Sequence, residues 1–230
     1  MRIAGIDGCK AGWIAVVAEE GRPETAAPRP VARVADLFAV TDVAFALVDI
    51  PIGFVDGPEP RDTEAAMRAF LKGKASSVFN TPCRAALIEE VYFDASYVNR
   101  EKLGIGLSKQ SFMLFPKMLE VDRFAERDCQ TRLREGHPEV SFAEMNGRLP
   151  VLSRKRQPDG RADRIALLAA QGFDAEALAG QANANGCAVD DMLDATALLW
   201  SAMRFRREQH TTFPAQPQRD ARGLEMSVIA

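Results

Sequence analysis

Two short apolar runs, residues 3–6 and 13–17, flank Asp7 near the start of the chain. Both read as strands, and Gly5, Gly8 and Gly12 relax the backbone or leave room beside it. The stretch Ala26-Ala-Pro-Arg-Pro30 breaks this first apolar block. Residues 31–34 and 44–50 are then predicted as further strands around a short helix at 36–40, with Pro51 and Gly53 stopping the last of them. From 55 to 134 strand periodicity fades. Helices are expected at 63–72 and 116–134, and a further helical segment at 92–102, so this stretch reads as a helical insertion or cap on the sheet. Residues 140–142 are expected to return briefly to the sheet, followed by a basic, Pro/Gly-interrupted loop at 154–160. Helices follow at 161–171 and 190–206, separated by an Asn-rich loop in which Gly186 suits a left-handed conformation. The alternating tail, 223–229, reads as an edge strand. The pattern as a whole predicts an α/β domain: a mixed sheet flanked by helices, residues 1–230 forming one unit with an insertion at about 55–134.

Composition narrows the class without naming a reaction. A chain of 230 residues, 47% hydrophobic, has enough apolar material for a sizeable core. It contains no run of 18 apolar residues and opens without a basic and then apolar leader, so a cytoplasmic protein that does not enter membranes is expected. Cys9, Cys83, Cys129 and Cys187 are scattered, with no C-x-x-C pair, and read as reduced thiols rather than a zinc or disulfide framework. A net charge of −3 supplies no global field for nucleic acid, so such a partner must meet a local basic patch. The oligomeric state is left open, a homodimer included.

The candidate chemistry lies in acids that follow apolar runs. Asp7 and Asp49 each sit at the end of a buried-looking strand, where an unpaired carboxylate costs several kcal/mol unless hydrogen-bonded, paired or bound to metal. A third set, Asp190, Asp191 and Asp194, opens the late helix. Asp190 has the type and position of an N-cap, whereas Asp194 lies too deep for capping to explain it. On a helical wheel Asp191 and Asp194 oppose the Met192, Leu193, Thr196, Leu199, Trp200 stripe, yet their side also carries Ala195, Leu198 and Ala202 and is not simply solvated. Acids on two strands and a helix form an oxygen-rich set suited to Mg²⁺ or Mn²⁺, and a pair of such ions about 4 Å apart supports phosphodiester cleavage. The plainer reading of Asp7 as a turn cap and of Asp49 as an acceptor of backbone amides near Gly53 stands beside it.

Around these acids lie further candidates. His137 and Glu139, two residues apart, would face one side of an extended strand and serve one site, with His137 orienting a water and Glu139 adding an acid; a buried His–Glu hydrogen bond is the alternative. The densest basic cluster, Arg154-Lys-Arg156 with Arg161 and Arg164, is either a solvated loop or a set of phosphate contacts. Lys72, Lys74, Ser76 and Ser77 offer a second phosphate-sized nest that lacks P-loop spacing. Lys10, Ser76, Ser77, Lys155, Arg156 and Arg164 are therefore the candidate substrate contacts. Gly5-Ile-Asp-Gly8 is also similar to the first phosphate hairpin of sugar kinases, whose second hairpin and Gly-rich adenosine site have no counterpart here.

Eight blocks taken in order carry a family resemblance: Gly5-Ile-Asp-Gly-Cys-Lys-Ala-Gly-Trp13, Asp49-Ile-Pro-Ile-Gly53, Ser76-Ser-Val-Phe79, Gly106-Leu-Ser-Lys-Gln110, Pro116-Lys-Met-Leu-Glu-Val-Asp122, His137-Pro-Glu-Val-Ser-Phe142, Asp190-Asp-Met-Leu-Asp-Ala195 and Asp220-Ala-Arg-Gly-Leu224. Together they resemble the DUF429 family, described as predicted ribonuclease H-like nucleases. The resemblance implies a ribonuclease H-like sheet and a metal-dependent nuclease that uses Asp7, Asp49 and an acid of the late helix. Gly136 departs from the family pattern where Val is expected, and Arg154-Lys-Arg-Gln157 departs from a Lys-Lys-Thr. Glu120 and Asp122 either approach the acidic site or pair locally with Lys117 and Arg123. The leading expectation is a Mg²⁺- or Mn²⁺-dependent nuclease acting on DNA or RNA. The rivals are a noncatalytic nucleic-acid or protein-binding module on the same fold and an actin-like phosphotransferase.

Overall fold

The computed structural model describes residues 1–128 and 130–230, so Cys129 lies outside the described residues. Seven strands form one sheet in the order β3-β2-β1-β4-β5-β7-β6: β1 (Arg2–Cys9), β2 (Gly12–Glu19), β3 (Arg22–Val31), β4 (Val43–Val48), β5 (Leu133–Gly136), β6 (Thr212–Arg219) and β7 (Glu225–Ile229). The first three strands form an antiparallel meander, β4, β5 and β7 run parallel to β1, and β6 returns antiparallel along β7. An antiparallel 3-2-1 ribbon continued by parallel strands is consistent with a ribonuclease H-like arrangement, and the protein is an α/β fold with a mixed sheet and flanking helices.

Helices cover both faces. Between β4 and β5 come α2 (Asp62–Phe70), α3 (Arg84–Leu87), α4 (Tyr92–Leu103), α5 (Lys109–Met113) and α6 (Phe115–Asp128), with one 3₁₀ turn at Ala75–Ser77. With α1 (Val34–Val40), much of this segment packs on the face that carries Ala4, Ile6, Trp13, Ala46 and Val48. The opposite face, with Ile3, Ile14, Val16, Phe45 and Leu47, is covered by α7 (Pro138–Met145), α8 (Pro158–Ala170), α9 (Ala175–Gly180) and α10 (Val189–Arg206). The period-2 alternation of β1 and β4 thus divides two cores. A third, smaller core joins α2 and α7 to the β6–β7 ribbon through Met67, Leu71, Val140 and Phe213. No helix among the described residues is long and apolar enough to cross a membrane.

The structure corrects several expected elements. The Pro-containing stretch 26–30 lies within β3, and residues 31–34 form only its end and the start of α1. Pro28 and Pro30 share one parity on an edge strand, where every second N–H points away from the ladder and its loss costs little. Residues 133–134, expected as the end of a helix, open β5; residues 140–142, expected as strand, belong to α7, which Pro138 opens at its first position. The tail strand β7 is interior, paired on both sides, and the edge belongs to β6. The prolines of β6, at 214 and 217, concealed it from the pattern. Gly136 faces Leu198 and Leu47, and a Cβ there would stand 2.6 Å from the tip of Leu198, so this chain has filled the site of the expected Val from the helix side.

Candidate metal centre

Helix α10 is buried on every side along its middle, and its approach to β1 builds the site. A Cβ at Gly5 would lie 2.1 Å from the Ala195 carbonyl oxygen and 2.2 Å from the Leu199 nitrogen, so backbone touches backbone at that crossing. Asp7 lies two residues further along the same face of β1, and Asp194 immediately precedes Ala195 on the helix. The close crossing therefore brings the two carboxylates into one another's field. Asp49 follows the end of β4, the parallel neighbour, and its N–H continues the ladder by donating to the Ile6 carbonyl at 3.0 Å. His137 follows β5 and forms the N-cap of α7. Asp7, Asp49 and His137 thus stand at the carboxyl ends of three adjacent parallel strands, the edge where open α/β sheets bind ligands.

These acids are sparsely compensated. Asp7 accepts one hydrogen bond, from the Gly8 N–H at 2.7 Å. Among the described residues no donor reaches the Asp49 carboxylate. Asp194, 2% exposed, accepts the Lys155 ammonium on Oδ2 at 2.6 Å, while its buried Oδ1 has no partner. Burial, then the charges of Asp49 and Asp194, pushes the Asp7 carboxyl well above the ordinary range, and Lys155 offsets only part of this. Burial raises Asp49 against the opposing influence of His137 and Lys155, and raises Asp194 to about 6 against Lys155. Lys155 is itself raised: the attraction of Asp194, Asp7 and Asp49 outweighs the cost of its burial.

Lys155 was expected to reach outward to substrate; the structure turns it inward. Its loop is pinned from below. Gly160, at the start of α8, lies so close beneath Arg154 that a Cβ would stand 2.1 Å from the Arg154 carbonyl oxygen. Arg164 is 1% exposed and donates to the Gly160 carbonyl at 2.8 Å and to Glu139 at 2.8 and 3.1 Å. Lys74 adds a bridge to Glu139 at 2.9 Å and donates to the Val151 carbonyl at 2.5 Å. Glu139 and Arg164 are therefore a buried pair that seats the loop, so Glu139 has no free edge for a cation and Arg164 none for a phosphate. The extended-strand spacing that paired Glu139 with His137 fails because both lie at the start of α7. No sequence signal pointed to Lys74 or Gly160 as supports, since each acts on residues some 80 or six positions away only through the fold.

The remaining candidates divide by exposure. Asp191 is the helix-start acid that caps, accepting the Ala188 N–H at 3.0 Å, and Ala188 rather than Asp190 is the N-cap residue. Asp191 is raised chiefly by burial, and its charge adds to the field at Asp7. Asp190 pairs with exposed Arg156 at 3.4 Å. Lys10 is exposed in the β1–β2 turn, Ser76 is exposed, and half-buried Ser77 donates to the Lys74 carbonyl. Glu120 and Asp122 serve other contacts: Glu120 accepts the Trp13 indole N–H at 3.2 Å and the Val34 N–H at 2.6 Å, and Asp122 binds Arg84 and Arg222.

The donor chemistry fits a hard divalent cation: carboxylate oxygens, one of them buried and orphaned, in a setting short of positive charge. The arrangement is not a finished cage. Among the described residues no three His, Cys, Asp or Glu side chains stand so as to hold a metal ion, and the Lys155 ammonium provides the local positive charge.

The family model for DUF429, a protein family of unknown function, matches residues 5–219. No curated protein and no solved structure matches the chain.

Proposed function

From the premise that the chain belongs to the DUF429 family, we propose that it is a nuclease that hydrolyses phosphodiester bonds with Mg²⁺ or Mn²⁺ at Asp7, Asp49 and Asp194. The observation that carries this reading is the unpartnered, buried Oδ1 of Asp194 beside two further carboxylates at the ends of parallel strands. A buried oxygen without a donor costs roughly 1–3 kcal/mol, and a ligand that supplies the missing partner recovers it. When bound, the cation lowers the pKa of water and neutralises charge on the phosphate in the transition state.

The chain's own groups supply the rest. Asp7, Asp49 and Asp194 hold the cation, and Asp191 adds negative field from the first turn of α10. Lys155 keeps Asp194 ionised and its carboxylate oriented. His137, whose Nδ1 has no protein partner, stands beside Asp49 to orient a water or take its proton. Exposed Lys10 and Arg156 flank the notch on two loops and contact backbone phosphate, a local patch of the kind a chain of net charge −3 requires. The nucleic acid is DNA or RNA.

One observation favours a second reading, a noncatalytic binding module on the same fold: the acids are not preassembled as a metal cage, and Lys155 already bonds one of them. Calorimetric titration of the metal-free protein with Mn²⁺, beside Asp7→Asn and with circular dichroism on both, separates the two. A nuclease binds Mn²⁺ and cleaves labelled single- or double-stranded DNA or RNA, and Asp7→Asn, still folded, loses at least about 100-fold in rate. Folded wild-type protein that neither binds Mn²⁺ nor cleaves any of these strands sinks the nuclease and leaves the module.

A further inference from the structure

Next to the acidic notch lies a cavity of about 130 Å³ that shares Asp49 and His137 with it. Its floor is apolar, formed by Ile50, Met67, Val78 and Met118, and the helical segment between β4 and β5 encloses it. An apolar cavity of about 150 Å³ holds one benzene molecule, so this one takes a single six-membered ring and is too small for a fused bicycle. The buried polar lining is engaged within the protein: Thr81 donates to Glu64, Glu135 pairs with Arg61 and Ser111 donates to the Asn80 carbonyl. Asn80 uses its Oδ1 to accept from Arg68 at 2.5 Å, which fixes the amide with its NH₂ available to donate. His137 lines the wall with an Nδ1 that no protein atom engages. Phe79, 46% exposed at the mouth, offers a free aromatic face.

We propose that this cavity is a nucleobase pocket selective for pyrimidines, with the attached phosphate lying at Asp49 and His137. The ring fills the apolar floor, Asn80 donates to a ring carbonyl oxygen, and Phe79 stacks on the neighbouring base or on the ring as it enters. A base reaches such a pocket only when it is out of the helical stack, so the substrate is single-stranded, frayed or flipped, not an intact duplex. The placement of the phosphate rests on the nuclease reading; recognition of the base does not.

The test therefore begins with a probe that has no phosphate. Uridine and adenosine are titrated into the ¹⁵N-labelled protein in EDTA, with amide shifts recorded. Uridine is expected to shift the amides of Phe79, Asn80 and His137, and adenosine to leave them unmoved at the same concentration. Asn80→Ala should weaken uridine binding about fivefold, the loss of one neutral hydrogen bond. Ser77→Trp, which fills the cavity from its rim, should weaken it at least about tenfold. Thymidine monophosphate and single-stranded oligothymidylate, compared in EDTA on the wild-type protein at equal base concentration, distinguish a free nucleotide from a polymer as the source of the base, and either is consistent with the pocket. Shifts that map elsewhere, equal responses to both nucleosides, or no response to 10-millimolar-range uridine overturn the proposal. Uridine binding without Mn²⁺ binding would retain the pocket and discard the nuclease; the reverse would do the opposite.

Discussion

Two regions of this protein bury carboxylates a short distance apart and treat them in opposite ways. Beneath the helices between β4 and β5, every acid is answered. Arg61 sends two hydrogen bonds of 2.8 Å to Glu135 and lies 3.3 Å from Glu64, which also accepts Thr81; the Ile52 N–H completes Glu135. Arg84 joins Asp122 to Asp220, and Asp220 accepts three backbone N–H groups as well. In the notch at the strand ends, Asp7, Asp49 and Asp194 share one lysine and one amide, and an oxygen is left over. Burial is the same kind of penalty in both places, so burial alone does not mark a functional carboxylate. The missing partner does. The first region ties the helical segment to the sheet, and the second holds negative charge ready for something that arrives later.

The widest separation between the regions should come from removing a cation. Arg61→Ala leaves Glu64 and Glu135 buried without their guanidinium and should cost about 3–5 kcal/mol in urea unfolding. Glu135, pushed up to about 7 by burial despite Arg61, will take a proton in that variant well above neutral pH, so the deficit should be larger at pH 8 than at pH 6. Lys155→Met does the equivalent in the notch, where the loss should be smaller, roughly 1–3 kcal/mol, because Lys155 is partly exposed and bonds one carboxylate, whereas buried Arg61 serves two. The two variants also differ in rescue. Saturating Mn²⁺ should close most of the gap between Lys155→Met and wild type and leave the gap between Arg61→Ala and wild type unchanged, since the notch is intact in both of the latter, measured as urea midpoints with and without the ion. If Mn²⁺ rescued neither, the notch would be no more than a poorly paired version of its neighbour.

The contrast was only half legible in the chain. Asp7 and Asp49 stand out because each ends an apolar strand run, and Asp194 because it lies too deep in a helix to cap it; those are local patterns, and the fold brings all three together. Lys155 reads as one of several loop cations, since its inward turn depends on Gly160, Arg164 and Lys74, which touch the loop only after α7 and α8 have packed. Glu139 reads as a strand residue because the four-residue strand ending at Gly136 gives too short a periodic signal to stand apart from the helical pattern before it. β3 and β6 are masked in the pattern by their prolines, which break strand periodicity and which an edge strand tolerates. The answered network is the least legible of all: Arg61, Glu135 and Asp220 are far apart in sequence, and nothing local distinguishes them from solvated charges.

The finest test of the comparison asks whether an acid in the notch works against folding. Asp7 has its carboxyl raised by burial and by Asp49 and Asp194. A carboxyl raised in the folded state binds its proton more tightly there than in the unfolded chain, so its favourable contribution is complete below the unfolded value near 3.8 and drains away as pH rises through the folded value. Asp7→Asn keeps an oxygen for the Gly8 N–H and removes the titration. In EDTA the variant should match the wild type near pH 4 and become more stable as pH rises, by about 1 kcal/mol at pH 8, with added Mn²⁺ narrowing the gap because only the wild type binds it. Urea midpoints across that range decide the matter. A difference that is constant with pH, or an Asp7→Asn variant less stable than wild type at pH 8, would mean that Asp7 is satisfied in the fold, and that the unanswered charge at the strand ends is a structural acid after all.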